Sequence, residues 1–269
     1  MQELHFYSDD KYRGEGLSFG LVRGLLASFD DMNITQEGMG LGTLVMTIGG
    51  KTFFSRSCQS IVVDNNRIIK VFLLDTRMAW SISGYRSPFI AYFMRKMTDF
   101  YMLVKNKKLQ QLCLRFGYHL RKALTIEPVF EESTPMAQVS FYYDLKGTSE
   151  LSIECAVSSL CGDLEKVYIL NELGARHFDK SYINEVVSDP PSGWQKISDY
   201  FSSFVFYCSK HNIKFFIKSL DVQAGIPANI FWGREVTKEH CWAGYGIELN
   251  CKNSNVKDLS VKYKLYVGD

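Results

Sequence analysis

The sequence predicts a mainly β protein, α+β by content: a large antiparallel β-sandwich or barrel with a basic helical pair inserted at about 88–123. Three observations carry that reading. β-branched and aromatic runs recur between Gly, Asn and Asp punctuation through residues 1–85 with no helical period, the pattern switches abruptly at Ser87-Pro88, and alternating strands return after Pro128.

In the first region Gly42-Thr43-Leu44-Val45-Met46-Thr47-Ile48 meets Lys51-Thr52-Phe53-Phe54 across Gly49-Gly50, the signature of a two-residue hairpin. Ser60–Val63 and Ile68–Leu74 flank a second polar turn, Asp64-Asn65-Asn66-Arg67. At Ser87-Pro88 a residue able to cap precedes a proline suited to a first helical turn. Phe89, Tyr92, Phe93, Met97, Phe100, Tyr101 and Val104 then recur at spacings of three and four. After Lys105-Asn106-Lys107-Lys108 a second stretch carries Leu109, Leu112, Phe116 and Leu120, so two helices are expected, about 88–104 and 108–123. Beyond them Gln138–Tyr143 and Glu150–Val157 flank Lys146-Gly147, Phe204–Cys208 and Lys214–Lys218 flank His211-Asn212, and Tyr245–Cys251 and Ser260–Tyr266 alternate cleanly. No linker composition or 20–50-residue repeat interrupts the chain, so one β-rich domain over 1–269 with a helical insertion at 87–124 is expected.

The chain has 269 residues and 46% apolar composition, enough for a sizeable core. Its N-terminus lacks a basic region followed by an apolar stretch, and no segment approaches a membrane-spanning run. Seven scattered cysteines without a C-x-x-C pair point to reduced thiols, and a cytoplasmic protein is expected. Net charge is +2, but residues 86–122 hold nine Lys/Arg against Asp99, +8, leaving −6 elsewhere.

No cofactor motif is visible, and five scattered histidines predict no metal site. The run Gly38-Met39-Gly40-Leu41-Gly42 is followed by strand, not helix, which favours a close-packed β turn over a phosphate cradle. G-x-S-x-G and P-loop patterns are absent.

Four groups of residues have chemistry to offer. Asp75 and Arg77 alternate onto one face of a strand, either solvated or lining a cavity with Trp80 as an apolar wall. Arg86 stands at the start of the first helix, where free N–H groups could join it in holding a carboxylate or phosphate. Glu172, Arg176 and His177 form the densest polar cluster, with Glu172 or His177 as acid or base and Arg176 stabilising negative charge, though a polar turn reads the same way. Trp232, Arg234, Glu235 and Trp242 combine aromatic surfaces with charge, a ligand-stacking pattern that ordinary core aromatics also produce.

The resulting expectation is a small organic or amphiphilic ligand in a pocket enclosed by β-sheets, with possible acid–base chemistry of isomerase, hydratase or lyase type. Asp75, Glu172, His177 and Glu235 are its candidate catalytic residues, and Arg77, Trp80, Arg86, Arg176, Trp232, Arg234 and Trp242 its candidate ligand contacts. The alternative is a non-enzymatic protein docking on an acidic partner or anionic membrane through residues 86–122. The same pattern also fits helices that cap a sheet with their apolar face, and nucleic acid is the least favoured partner.

Overall fold

The computed structural model describes residues 4–8, 22, 24–29, 32–35, 39–56, 58–64, 66–86, 88–103, 107–146, 149–197, 200–236 and 241–269. The chain opens with β1 (Leu4–Tyr7), β2 (Leu26–Phe29) and β3 (Met32–Asn33), a small sheet. Next come β4 (Gly40–Ile48), β5 (Lys51–Phe54), β6 (Cys58–Asp64), β7 (Arg67–Leu73), β8 (Thr76–Ile82) and β9 (Tyr85–Arg86). The helices are α1 (Pro88–Leu103) and α2 (Lys107–Ala123). They are followed by β10 (Ile126–Glu132), β11 (Ala137–Lys146), β12 (Glu150–Ser159), β13 (Lys166–Leu173), β14 (Lys180–Ile183), β15 (Val186–Ser188) and β16 (Gly193–Ile197). Last are β17 (Phe204–Cys208), β18 (Ile213–Val222), β19 (Ala228–Val236), β20 (Cys241–Asn250) and β21 (Asp258–Gly268).

Two large antiparallel sheets form a sandwich. The front sheet runs β10-β8-β5-β4-β13-β20-β19-β16, with β9 on β8, and the back sheet runs β15-β14-β17-β18-β21-β12-β11-β7-β6. The β4–β5 hairpin turns on Gly49 and Gly50 at φ +56° and +65°, the left-handed pair that a two-residue turn requires. The seven cysteines form no disulfide. α1 begins at Pro88 as its sequence predicts, while Ser87, its expected cap, lies outside the described residues.

Alternation fixes which side of each strand is core. In β20 the odd-numbered residues from Cys241 to Leu249 are buried against the back sheet, and the Tyr245 hydroxyl donates to the carbonyls of Phe204 and Phe215 at 2.6 and 2.9 Å. Phe141, Tyr143, Phe206, Phe215 and Tyr263 fill the space between the sheets, each large side chain contributing roughly 1.5–3 kcal/mol on burial. Asn171 ties the two sheets together: its Oδ1 accepts from the Gly42 N–H at 3.0 Å and the Tyr263 hydroxyl at 2.9 Å. A ligand pocket between the sheets, as expected from the sequence, has its room taken by these aromatics.

The helices lie against the other side of the front sheet. α1 packs on β8 and also on β16, which are six strand-to-strand steps apart, roughly 29 Å if flat. A 16-residue helix is roughly 24 Å long, so α1 runs across the strands of that outer face. α2 packs on β10, with the Arg121 guanidinium 5.3 Å from the centre of the outward-facing Trp80 ring.

Candidate functional site

One register row crosses five strands on the outer face of the front sheet: Gly40 of β4, Glu172 of β13, Gly244 of β20, Gly233 of β19 and Trp194 of β16. The row is outward because its β20 member is even-numbered, opposite in parity to the core-facing residues. Trp242 and Glu235, paired across β20 and β19, share that face two residues further along.

The glycines have a packing reason. A Cβ on Gly244 would come within 2.1 Å of the Asn171 carbonyl oxygen, and one on Gly233 within 2.9 Å of the Trp242 ring. The two indoles stack on this floor with centroids 4.3 Å apart and planes 20° from parallel. Without side chains beneath them they can lie close over the sheet, each covering one face of the other, and the uncovered faces of the stacked pair form an apolar platform.

Beside the platform Glu172 is 6% exposed, an outward-facing carboxyl that is nonetheless buried. Burial pushes it up to about 7; the Met39 backbone N–H donates to it and pulls the other way, and the Glu235 carboxylate adds to the rise. Near neutrality such a group holds protonated and ionised forms in comparable amounts, the condition for both accepting and returning a proton.

The four sequence-predicted clusters fare differently. Glu172, Glu235 and Trp242 come together on the outer face of the front sheet, and Trp194, absent from the sequence reading, completes the platform. Trp232 is a correction: it faces the core, 2% exposed, against Phe204 and Phe206, because it pairs with core-facing Tyr245. Arg234 also points inward, where its Nε and Nη2 donate to the Ala175 carbonyl at 3.3 and 3.1 Å. It pins the turn after β13 instead of meeting a ligand on the Glu172 face. On that turn Arg176 is exposed, and His177 is half-buried with its ring against Gly174 and its N–H donating to the Gly174 carbonyl.

Asp75, Arg77 and Trp80 belong to the other end of the sheet, on or beside β8, three strand steps from β13 on the side opposite β16. Asp75 accepts from the Thr76 hydroxyl at 3.2 Å, Arg77 stands opposite Glu131 on the face away from Trp80, and Trp80 carries Arg121. Arg86 lies on β9 opposite Ser81, at that same far end of the sheet. His240 and Gly38 lie outside the described residues.

Among the described residues no cluster of three or more His, Cys, Asp or Glu side chains could hold a metal ion. A separate groove of about 720 Å³ on the outer face of the back sheet is lined by Tyr182, Asn184, Glu185, Lys214 and Phe216 among others. Its charged groups, Glu185 and Lys214, are exposed, so acid–base capacity is concentrated at Glu172.

No protein-family model matches the chain, and no curated protein matches it. Among solved structures a heparinase III aligns over 92% of this chain at 8% identity and a TM-score of 0.44; this chain spans 30% of that protein's length. A putative aldose 1-epimerase from Escherichia coli K12 aligns over 98% of this chain and 99% of its own, at 7% identity and a TM-score of 0.42. The Slr1438 protein from Synechocystis sp. PCC 6803 aligns over 92% and 90%, at 11% identity and a TM-score of 0.40.

Proposed function

We propose that the outer face of the front sheet around Glu172 binds a carbohydrate ring and catalyses acid–base isomerisation on it. The observation that carries this reading is the placement of the Trp194–Trp242 stack and the Glu172 carboxyl on one face of one sheet. A pyranose has an apolar face of C–H groups that suits a flat indole platform and a rim of hydroxyls that suits carboxylate acceptors. Glu235 and Glu172 supply the acceptors beside the platform.

The chemistry follows from one buried carboxyl. Ionised Glu172 takes the proton of the anomeric hydroxyl and the resulting acid gives it to the ring oxygen, opening the ring; rotation about the C1–C2 bond and the reverse transfer close it as the other anomer. The sugar gains and loses one proton, so the step needs no oxidant or reductant. The low-dielectric surroundings that raise the carboxyl also strengthen its interaction with charge developing on the sugar.

The test is a panel of aldoses and uronates followed by NMR and polarimetry for anomer or epimer exchange, with saturation transfer to report binding. The wild type should bind at least one sugar and accelerate its interconversion. Glu172→Gln should keep binding and lose at least a hundredfold in rate, in line with the usual contribution of a general acid–base group. A wild-type protein that neither binds nor interconverts any sugar in the panel would overturn the proposal.

A further inference from the structure

Each helix carries an apolar stripe that does not face the sheet. In α2, Arg121 is turned to the sheet, over Trp80. Phe116 lies five residues earlier, roughly 140° around the helix, and shares its stripe with Leu109 and Leu112 at spacings of three and four. That stripe therefore points away from the protein body: Leu112 is 63% and Phe116 60% exposed. α1 is built alike. It covers the sheet with Ile90, buried at 8% exposure, and half-buried Phe93, Met94 and Met97, while Phe89, Tyr92 and Phe100 form an exposed stripe along the neighbouring flank.

An outward apolar stripe on two adjacent helices is not what a solvated surface carries. Here it is combined with the +8 charge of residues 86–122, of which Lys96, Arg115 and Lys122 are exposed. Arg115 and Lys122 lie on a flank of the α2 stripe, roughly 100–120° from Phe116, where they can reach towards the surface on which the stripe rests.

We infer that α1 and α2 form an interfacial docking surface for an anionic lipid bilayer. The aromatic and aliphatic stripes enter the boundary between headgroups and acyl chains, and the cations pair with anionic headgroups. The opposing +8 and −6 charges of insertion and body orient the protein, bringing the helices to the bilayer and keeping the sandwich off it. Lipid is favoured over an acidic protein because the apolar residues lie on convex helix faces and the described residues show no cavity between the stripes to take a partner's side chains. No described helix is long and apolar enough to cross a membrane, which fits a helix lying in the interface. The surface is distinct from the Glu172 site, and its failure would leave the sugar proposal standing.

The test is sedimentation of the full chain with phosphatidylcholine vesicles, with and without an equal share of phosphatidylserine. The wild type should bind the phosphatidylserine vesicles at least tenfold more strongly than phosphatidylcholine alone and release in high salt. The exposed double substitution Leu112→Glu with Phe116→Glu should abolish binding, while Arg115→Glu should weaken it roughly fivefold; circular dichroism checks that each variant is folded. Failure of the wild type to sediment with phosphatidylserine vesicles, or equal binding by the folded Leu112/Phe116 variant, would overturn the inference. Binding to an acidic polypeptide but not to vesicles would replace lipid with protein as the partner.

Discussion

The outer faces of the two sheets are built from the same alternating strands and end up as different surfaces. On the back sheet the outward positions obey the rule for a solvated face: Glu150 is held by Lys218 at 2.6 Å and Lys264 at 2.8 Å, Glu154 by Lys262 at 3.2 Å, and Arg67 by Asp144 at 3.3 Å. On the front sheet the corresponding positions hold Gly233, Gly244, stacked Trp194 and Trp242, and a buried carboxyl. The two acids make the contrast measurable. The lysine ammonium groups hold Glu150 down at about 2, whereas burial lifts Glu172 to about 7. A sheet face that gives up solvated charge pairs for glycine, indole and a desolvated acid loses stability there, and the loss points to a role.

The contrast breaks most sharply at the glycine floor. Gly244→Ala should cost about 3 kcal/mol in a urea titration, because its Cβ would press on backbone with no side chain to move aside. Ser152→Ala, outward on the back sheet, should stay within about 0.5 kcal/mol. Similar losses would mean the floor has more room than its geometry shows.

Next comes the pH dependence of stability. Folded Glu172 keeps its proton up to about 7 while the unfolded chain releases it near the ordinary 4.5. The native state therefore binds more protons across that window, and stability falls as pH rises through it, by about 3 kcal/mol in all. Below the window both states are protonated and the effect vanishes. Glu172→Gln should flatten this slope and leave the protein more stable than wild type at pH 8; an unchanged slope would place the titration elsewhere.

Trp242→Ala should weaken sugar binding roughly tenfold, the value of one aromatic stack, with little change in turnover of bound sugar. A change in turnover alone would make the indole part of the chemistry and not of the platform. The smallest effect is expected at Glu150→Gln, within about 1 kcal/mol and shrinking further in salt, because its lysine partners are about half exposed. Its sign is opposite to that of Glu172: the contribution is present above the ordinary carboxylate range and lost as pH falls towards 2.

Much of the fold was legible. Gly49-Gly50, the alternation of Tyr245–Cys251 and the break at Ser87-Pro88 each carry a local physical signal, and each corresponds to a strand, turn or helix start. The site was legible in pieces. Glu172, Glu235 and Trp242 are conspicuous in the sequence, but their convergence depends on β13, β20 and β19 being neighbours, a non-local matter. Trp194 was missed because β16 is a five-residue strand behind Pro190 and Pro191, although Gly193-Trp194-Gln195-Lys196-Ile197 does alternate. Trp232 and Arg234 were misassigned for a related reason: with a period of two, the core-facing member of each neighbouring pair can be told from the outward one only once the register is known. The periodicity of the helices fits capping and docking alike, and only tertiary packing shows Arg121 inward and Phe116 outward.

The most direct measurement is the titration of the Glu172 side-chain carboxyl by carbon-13 NMR, assigned by its loss in Glu172→Gln, with and without a saturating sugar found in the panel. The account predicts a midpoint near 7 in the free protein and a clear shift when the sugar occupies the platform. A midpoint in the ordinary carboxylate range, unmoved by any sugar, would contradict it.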